Sequence, residues 1–118
     1  MLASFGADVL RVGADHLPSI PICVMATGSG KRNTSIDLRS SEGTETIRRV
    51  LADPDVWLDA YRPGAMDGYG LTPELVAELR PGIVIVQISA FDWIGPWAGR
   101  RGFDSIVRST TGIRAAGG

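Results

Sequence analysis

At 118 residues and 12.5 kDa, the chain has the size of one small domain and is too short for two ordinary ones. Its 44% apolar content supports a buried core and excludes disorder as the main description. Twelve Lys and Arg against 13 Asp and Glu leave a net charge of −1, which excludes a strongly basic nucleic-acid binder.

In chain order, Gly6 marks a helix end and the segment from Ala7 to Val12 reads as a short strand. Residues 13–30 show no period and carry Gly, Pro, Ser and Thr, so a loop is expected there. Residues 34–38 alternate polar and apolar, the pattern of a half-buried strand.

Ser40 or Ser41 then caps a helix with Glu42 and Glu45 near its start and Arg48 and Arg49 near its end, the order the helix dipole favours. Ile47, Val50 and Leu51 form its apolar stripe, and Asp53-Pro54 stops it. Val56-Trp57-Leu58 is the next strand.

Thr72-Pro73-Glu74 opens a further helix with Leu75, Val76 and Leu79 on one face, ended by Pro81-Gly82. The run from Ile83 to Ile88 is rich in β-branched residues, as a strand buried on both faces would be. A last helix is expected from Ser105 to Ile113, with Ile106 and Val107 inward.

This strand–helix alternation predicts an α/β fold: a Rossmann-like, mostly parallel sheet with flanking helices, treated as one domain over residues 1–118. Ligands of such sheets bind at the carboxyl ends of the strands. Those ends fall near Gly13, Arg39, Asp59 to Arg62 and Ser89 to Asp92.

One cysteine, Cys23, and one histidine, His16, exclude an intrachain disulfide and a multi-Cys or multi-His metal site. Cys23 is expected to be buried, and His16 to be a solvated loop residue. Gly28-Ser29-Gly30-Lys31 is not a phosphate loop: Met25 and Arg32 stand where the motif needs Gly and Ser or Thr, and a strand follows rather than a helix. No apolar run reaches the ~20 residues of a membrane span, and no basic, apolar leader opens the chain. The cytoplasm is the expected location, with no nucleic-acid or membrane partner.

Tyr61-Arg62-Pro63-Gly64 follows a strand as an ordinary turn or as a loop shaping a pocket. Residues 95–104 combine Trp97, Arg100, Arg101, Phe103 and Asp104 in a segment suited to facing a substrate. From residue 93 onward four arginines stand against one aspartate, a local basic end suited to an anionic ligand.

GADVLRV, GKRNTSIDLRSSEG, DVWLDAYRPGAMDGYGL and RPGIVIVQISAFDWIGPWAGRRGFDSIVRSTTG, in that order, resemble the family III CoA-transferases. That group includes formyl-CoA transferase, carnitine CoA-transferase and α-methylacyl-CoA racemase. The resemblance covers nearly the whole chain apart from residues 13–29. It implies a fragment of a longer enzyme that forms interlocked homodimers and moves CoA between carboxylic acids. Coenzyme A and acyl-CoA are its substrates, and no permanently bound cofactor is implied.

Carried over by position, Ile36 and Arg39 match the strand end that holds the CoA nucleotide. Ala60 and Tyr61 match an Asn-Phe pair along CoA, and Arg101 a basic residue near the pantetheine or phosphates. Phe103 and Asp104 match a pair facing the thioester, as supporting residues. Ala60 lacks the family's amide, Gly68 replaces a basic residue, and Phe103 stands where the racemases have their catalytic His.

The aspartate nucleophile that the resemblance implies matches no residue between Met1 and Gly118, so no catalytic residue is assigned and the chain alone is expected to be inactive. The alternatives are a fragment of a 2-methylacyl-CoA racemase and a non-enzymatic α/β binding module. A fragment would also expose apolar surface or an open sheet edge.

Overall fold

The computed structural model describes residues 2–16 and 21–112, the side chains of Asp104 and Ser105 excepted. The elements are β1 (Val9–Gly13), α1 (Pro21–Gly28), β2 (Lys31–Ser35), α2 (Ser41–Leu51), β3 (Val56–Asp59), α3 (Pro73–Leu79), β4 (Val84–Gln87) and α4 (Asp104–Thr110). A 3-10 turn over Leu2–Phe5 precedes β1, and its exit is Gly6 at φ 91°, a conformation that glycine adopts without strain. The chain divides into two compact units, Met1–Arg49 and Val50–Gly118.

In the first unit, β1 and β2 pair in parallel, with Val9 opposite Lys31 and Gly13 opposite Ser35. The Ile36 amide extends this ladder by donating to the Gly13 carbonyl at 2.9 Å. Ile36 and Ile47 are its buried aliphatic side chains. In the second unit, β3 and β4 pair in parallel from Val56–Val84 to Asp59–Gln87, and Leu51, Leu71 and Val76 are buried.

Two parallel pairs linked through helices confirm the α/β class, with a sheet that is small and incomplete. Parallel strands need a crossover rather than a tight hairpin, and α1 and α3 lie within the two crossovers.

Several local expectations are corrected. Residues 13–30 contain α1, whose apolar run PICVMATG buries no residue and so carries no amphipathic stripe. Pro21 is its first residue, where a missing N–H costs nothing. Cys23 on this helix is exposed, not buried. The second strand lies at Lys31–Ser35 rather than 34–38, because backbone pairing with β1 sets its limits.

β4 is not buried on both faces: Val84 and Val86 are exposed while Ile85 and Gln87 are half-buried. On α3 only Val76 is buried, and Leu75 and Leu79 are exposed. Ile106 on α4 is exposed and Val107 half-buried; residue 113 lies outside the described residues. Exposed apolar side chains are numerous, among them Phe5, Ile22, Met25, Ile94 and Phe103.

Thr72 caps α3 as its residue type predicts. Its Oγ1 accepts the Leu75 amide hydrogen bond at 3.3 Å, with extended backbone at Thr72 and Pro73 opening the helix.

Candidate functional site

In the first unit the candidates gather in the loop joining β2 to α2. Asp37 organises it: Oδ1 accepts from the Arg39 amide at 3.0 Å and from Arg39 Nε at 2.8 Å, and Oδ2 accepts from an Arg39 terminal nitrogen at 2.8 Å. Ser40 Oγ donates to the Asp37 carbonyl at 2.9 Å and accepts from the Gly43 amide at 3.0 Å. The loop is thereby tied to the first turn of α2.

The hydrogen bonds from Arg39, first by side chain and then by backbone, hold the Asp37 carboxyl far below the usual carboxylate range, with a smaller contribution from His16. His16 lies in a turn with Nδ1 4.0 Å from Asp37 Oδ1. Of the two candidates in this unit, Arg39 is exposed, and Ile36 has its side chain in the core.

In the second unit the carboxyl ends of β3 and β4 border a cavity of about 90 Å³. Its walls come from the turn after β3, including Ala60, Tyr61 and Arg62, and from the loop after β4, including Ser89, Phe91 and Arg100. The buried Asp59, 6% exposed, shapes the first wall, where its Oδ1 accepts the Tyr61 amide hydrogen bond at 2.9 Å. The Ala65 amide closes the same turn onto the Arg62 carbonyl at 2.9 Å.

The second wall is held by rings and by close backbone approach. Phe91 and Trp97 meet edge to face with centroids 5.3 Å apart, a favoured aromatic geometry. The Arg100 guanidinium lies 5.8 Å from the Trp97 ring centroid. Gly102 comes so close to Ala90 that a Cβ on it would overlap the Ala90 methyl.

The structure therefore brings Ala60 and Tyr61 to one cavity, together with Arg62, Phe91 and Arg100, which the family pattern did not single out. Their signal was positional: both segments lie just after strand ends. Arg101 and Phe103 are exposed and follow that wall without lining the cavity, and Asp104 opens α4. Arg39 and Ile36 belong to the other unit.

Gly28 ends α1 and Lys31 begins β2, so the glycine-rich segment joins a helix to a strand, the reverse of a phosphate loop. Among the described residues no cluster of His, Cys, Asp and Glu is arranged to hold a metal ion. No helix among them is long and apolar enough to cross a membrane.

Comparison with known proteins places these features in a family. The profile of CoA-transferase family III matches residues 1–118. Succinyl-CoA–D-citramalate CoA-transferase from Chloroflexus aurantiacus is 31% identical over 130 aligned positions, covering 100% of this chain and 32% of that protein. Formyl-CoA:oxalate CoA-transferase from Escherichia coli is 26% identical, covering 100% of this chain and 31% of its own length.

Among solved structures, hypothetical protein Rv3272 from Mycobacterium tuberculosis superposes with a TM-score of 0.83 at 28% identity, covering 95% of this chain and 34% of that one. A CAIB/BAIF family protein from Brucella suis superposes with a TM-score of 0.76 at 28% identity and the same coverage, 95% and 34%. The chain thus spans about a third of the length of these relatives. With the profile matched from end to end, the chain belongs to CoA-transferase family III.

Proposed function

We propose that these residues form a partial CoA-binding domain of an enzyme that transfers CoA between carboxylic acids. The observation that carries this reading is the cavity at the carboxyl ends of β3 and β4, where open α/β sheets take their ligands. Tyr61 supplies an aromatic wall for CoA, and Arg101 a charge near its phosphates. Arg39 and the backbone at Ile36 serve the nucleotide end. Phe103 and Asp104 support the reacting thioester.

In this reading an aspartate outside the matched motifs attacks the acyl-CoA thioester. A mixed anhydride forms and CoA leaves as thiolate, which then attacks the aspartyl carbonyl to release the carboxylate and leave an aspartyl-CoA thioester. The acceptor acid takes up CoA by the same steps in reverse. The 118 residues bind CoA without turning it over. The enzyme acts in the cytoplasm as a homodimer on acyl-CoA and carboxylic acids.

Calorimetric titration with CoA tests the reading. Saturable binding is expected, weakened by about 1.5–3 kcal/mol in Arg39→Ala or Arg101→Ala through loss of a charged hydrogen bond. No heat at millimolar CoA, with the chain folded by circular dichroism, overturns it. Unchanged affinity in both variants overturns the phosphate roles.

A further inference from the structure

We propose that Arg62 and Arg100 form an oxyanion subsite in the strand-end cavity, taking a carboxylate or phosphate group of the bound ligand. Both residues line the same cavity, one from each wall. None of the ten lining residues is acidic, and among the described residues neither guanidinium has an ion-pair partner.

Four other arginines are already paired. Arg32, Arg39, Arg49 and Arg80 each have a carboxylate within 4.0 Å or less. Arg11, Arg48 and Arg101 have no ion pair among the described residues either, so what sets Arg62 and Arg100 apart is that both line one small concavity.

The rest of the lining mixes apolar side chains, from Tyr61, Phe91, Ala60 and Ala90, with polar surface, and both arginines are exposed. The Arg100 guanidinium rests near the Trp97 ring, which limits the side-chain entropy it loses on binding an anion. A guanidinium presents a planar fork that matches both carboxylate and phosphate.

Size limits the occupant. Pockets that enclose a whole small ligand measure roughly 300–1,000 Å³, whereas this cavity is about 90 Å³. It takes one charged group of a larger molecule. The subsite rests on the CoA-transfer reading only for the identity of that molecule, which carries either a CoA phosphate or the free carboxylate of an acid substrate.

The test is calorimetry of the whole chain with inorganic pyrophosphate and with succinate as probes, beside CoA. Saturable binding of at least one probe is expected, weakened about tenfold or more in both Arg62→Gln and Arg100→Gln with the far-ultraviolet spectrum unchanged. Arg→Lys variants should fall between, because they keep the charge and lose the fork. Sensitivity confined to pyrophosphate assigns a phosphate group, and sensitivity confined to succinate assigns a carboxylate.

Labelling of the unaltered protein with phenylglyoxal, read by mass spectrometry, covers variants that fail to fold. Arg62 and Arg100 should be protected by the probe that binds. Binding of neither probe, equal affinity in the Gln variants, or labelling unaffected by probe overturns the subsite. CoA binding that persists in those cases leaves the CoA reading standing. Probe binding lost in the variants, in a chain that does not bind CoA, supports the subsite and overturns the CoA reading.

Discussion

The carboxylate of Asp37 and the guanidinium of Arg39, two residues apart, form a two-pronged ion pair, with both contacts at 2.8 Å. The same carboxylate accepts the Arg39 amide, so one side chain fixes both the backbone and the charged head of the residue proposed to meet the CoA nucleotide. Asp37 is therefore a structural support for Arg39.

The pH dependence of that pair follows from the sign of the shift. The folded carboxyl titrates below its unfolded value of about 3.9. Its contribution to stability is complete above about pH 4 and is lost only as pH falls further, toward the depressed folded value. Both side chains are solvent-exposed, 58% and 45%, so screening keeps the contribution small. Carbon-detected NMR should find Asp37 still ionised at a pH where an ordinary aspartate is half protonated. Arg39→Gln should raise its midpoint toward 3.9. An ordinary midpoint in the unaltered protein contradicts the pairing.

Gly43 is fixed by the same loop. A methyl group there would overlap the carbonyl oxygen and carbon of Asp37, both main-chain atoms that cannot swing aside. Gly43→Ala should destabilise the fold by about 1–3 kcal/mol, the usual range for overpacking. A thermal midpoint lowered by several degrees checks this, and an unchanged midpoint refutes the close approach. Ser40→Ala, which loses the bond to the Gly43 amide, should cost about 1 kcal/mol by comparison.

What was legible in the sequence follows the physics of each segment. Thr72-Pro73 revealed a helix start because the cap and the first turn are local chemistry. The β-branched run at β4 revealed a strand, but its half-exposed face was hidden, since burial depends on what covers the sheet. Helix α1 was missed because its residues are apolar without a period and none is buried.

The site divides in the same way. Tyr61 and the segment 95–104 stood out as strand-end loops. That Arg62 and Arg100 line one cavity is a non-local result of two loops meeting, and no spacing rule reports it. The exposure of Cys23 was likewise unreadable, because composition speaks for the average cysteine and α1 lies on the surface.

The cap on α3 offers a stability test away from the site. Thr72→Ala removes the acceptor for the Leu75 amide and should cost about 1 kcal/mol, whereas Thr72→Ser should be nearly neutral. Urea unfolding curves with unchanged slope and a shifted midpoint measure the loss. Equal midpoints for the Ala and Ser variants contradict a capping role.

Gly102 carries the sharpest prediction for the cavity. Adding a Cβ there overlaps the Ala90 methyl, which is rigidly attached to the main chain and cannot rotate out of the way. The loop after β4 must then move as a body, and it carries Arg100 and the Trp97–Phe91 edge contact. Gly102→Ala should weaken ligand binding at least as much as Arg100→Gln does, because it displaces a whole wall of the cavity rather than one charge. Ala90→Gly removes the methyl that collides, so the pair of changes should bind better than Gly102→Ala alone, a non-additivity expected only of residues in contact. Calorimetric affinities for the four proteins of this cycle give the coupling directly. Simple additivity would mean that Gly102 and Ala90 do not set the position of the wall.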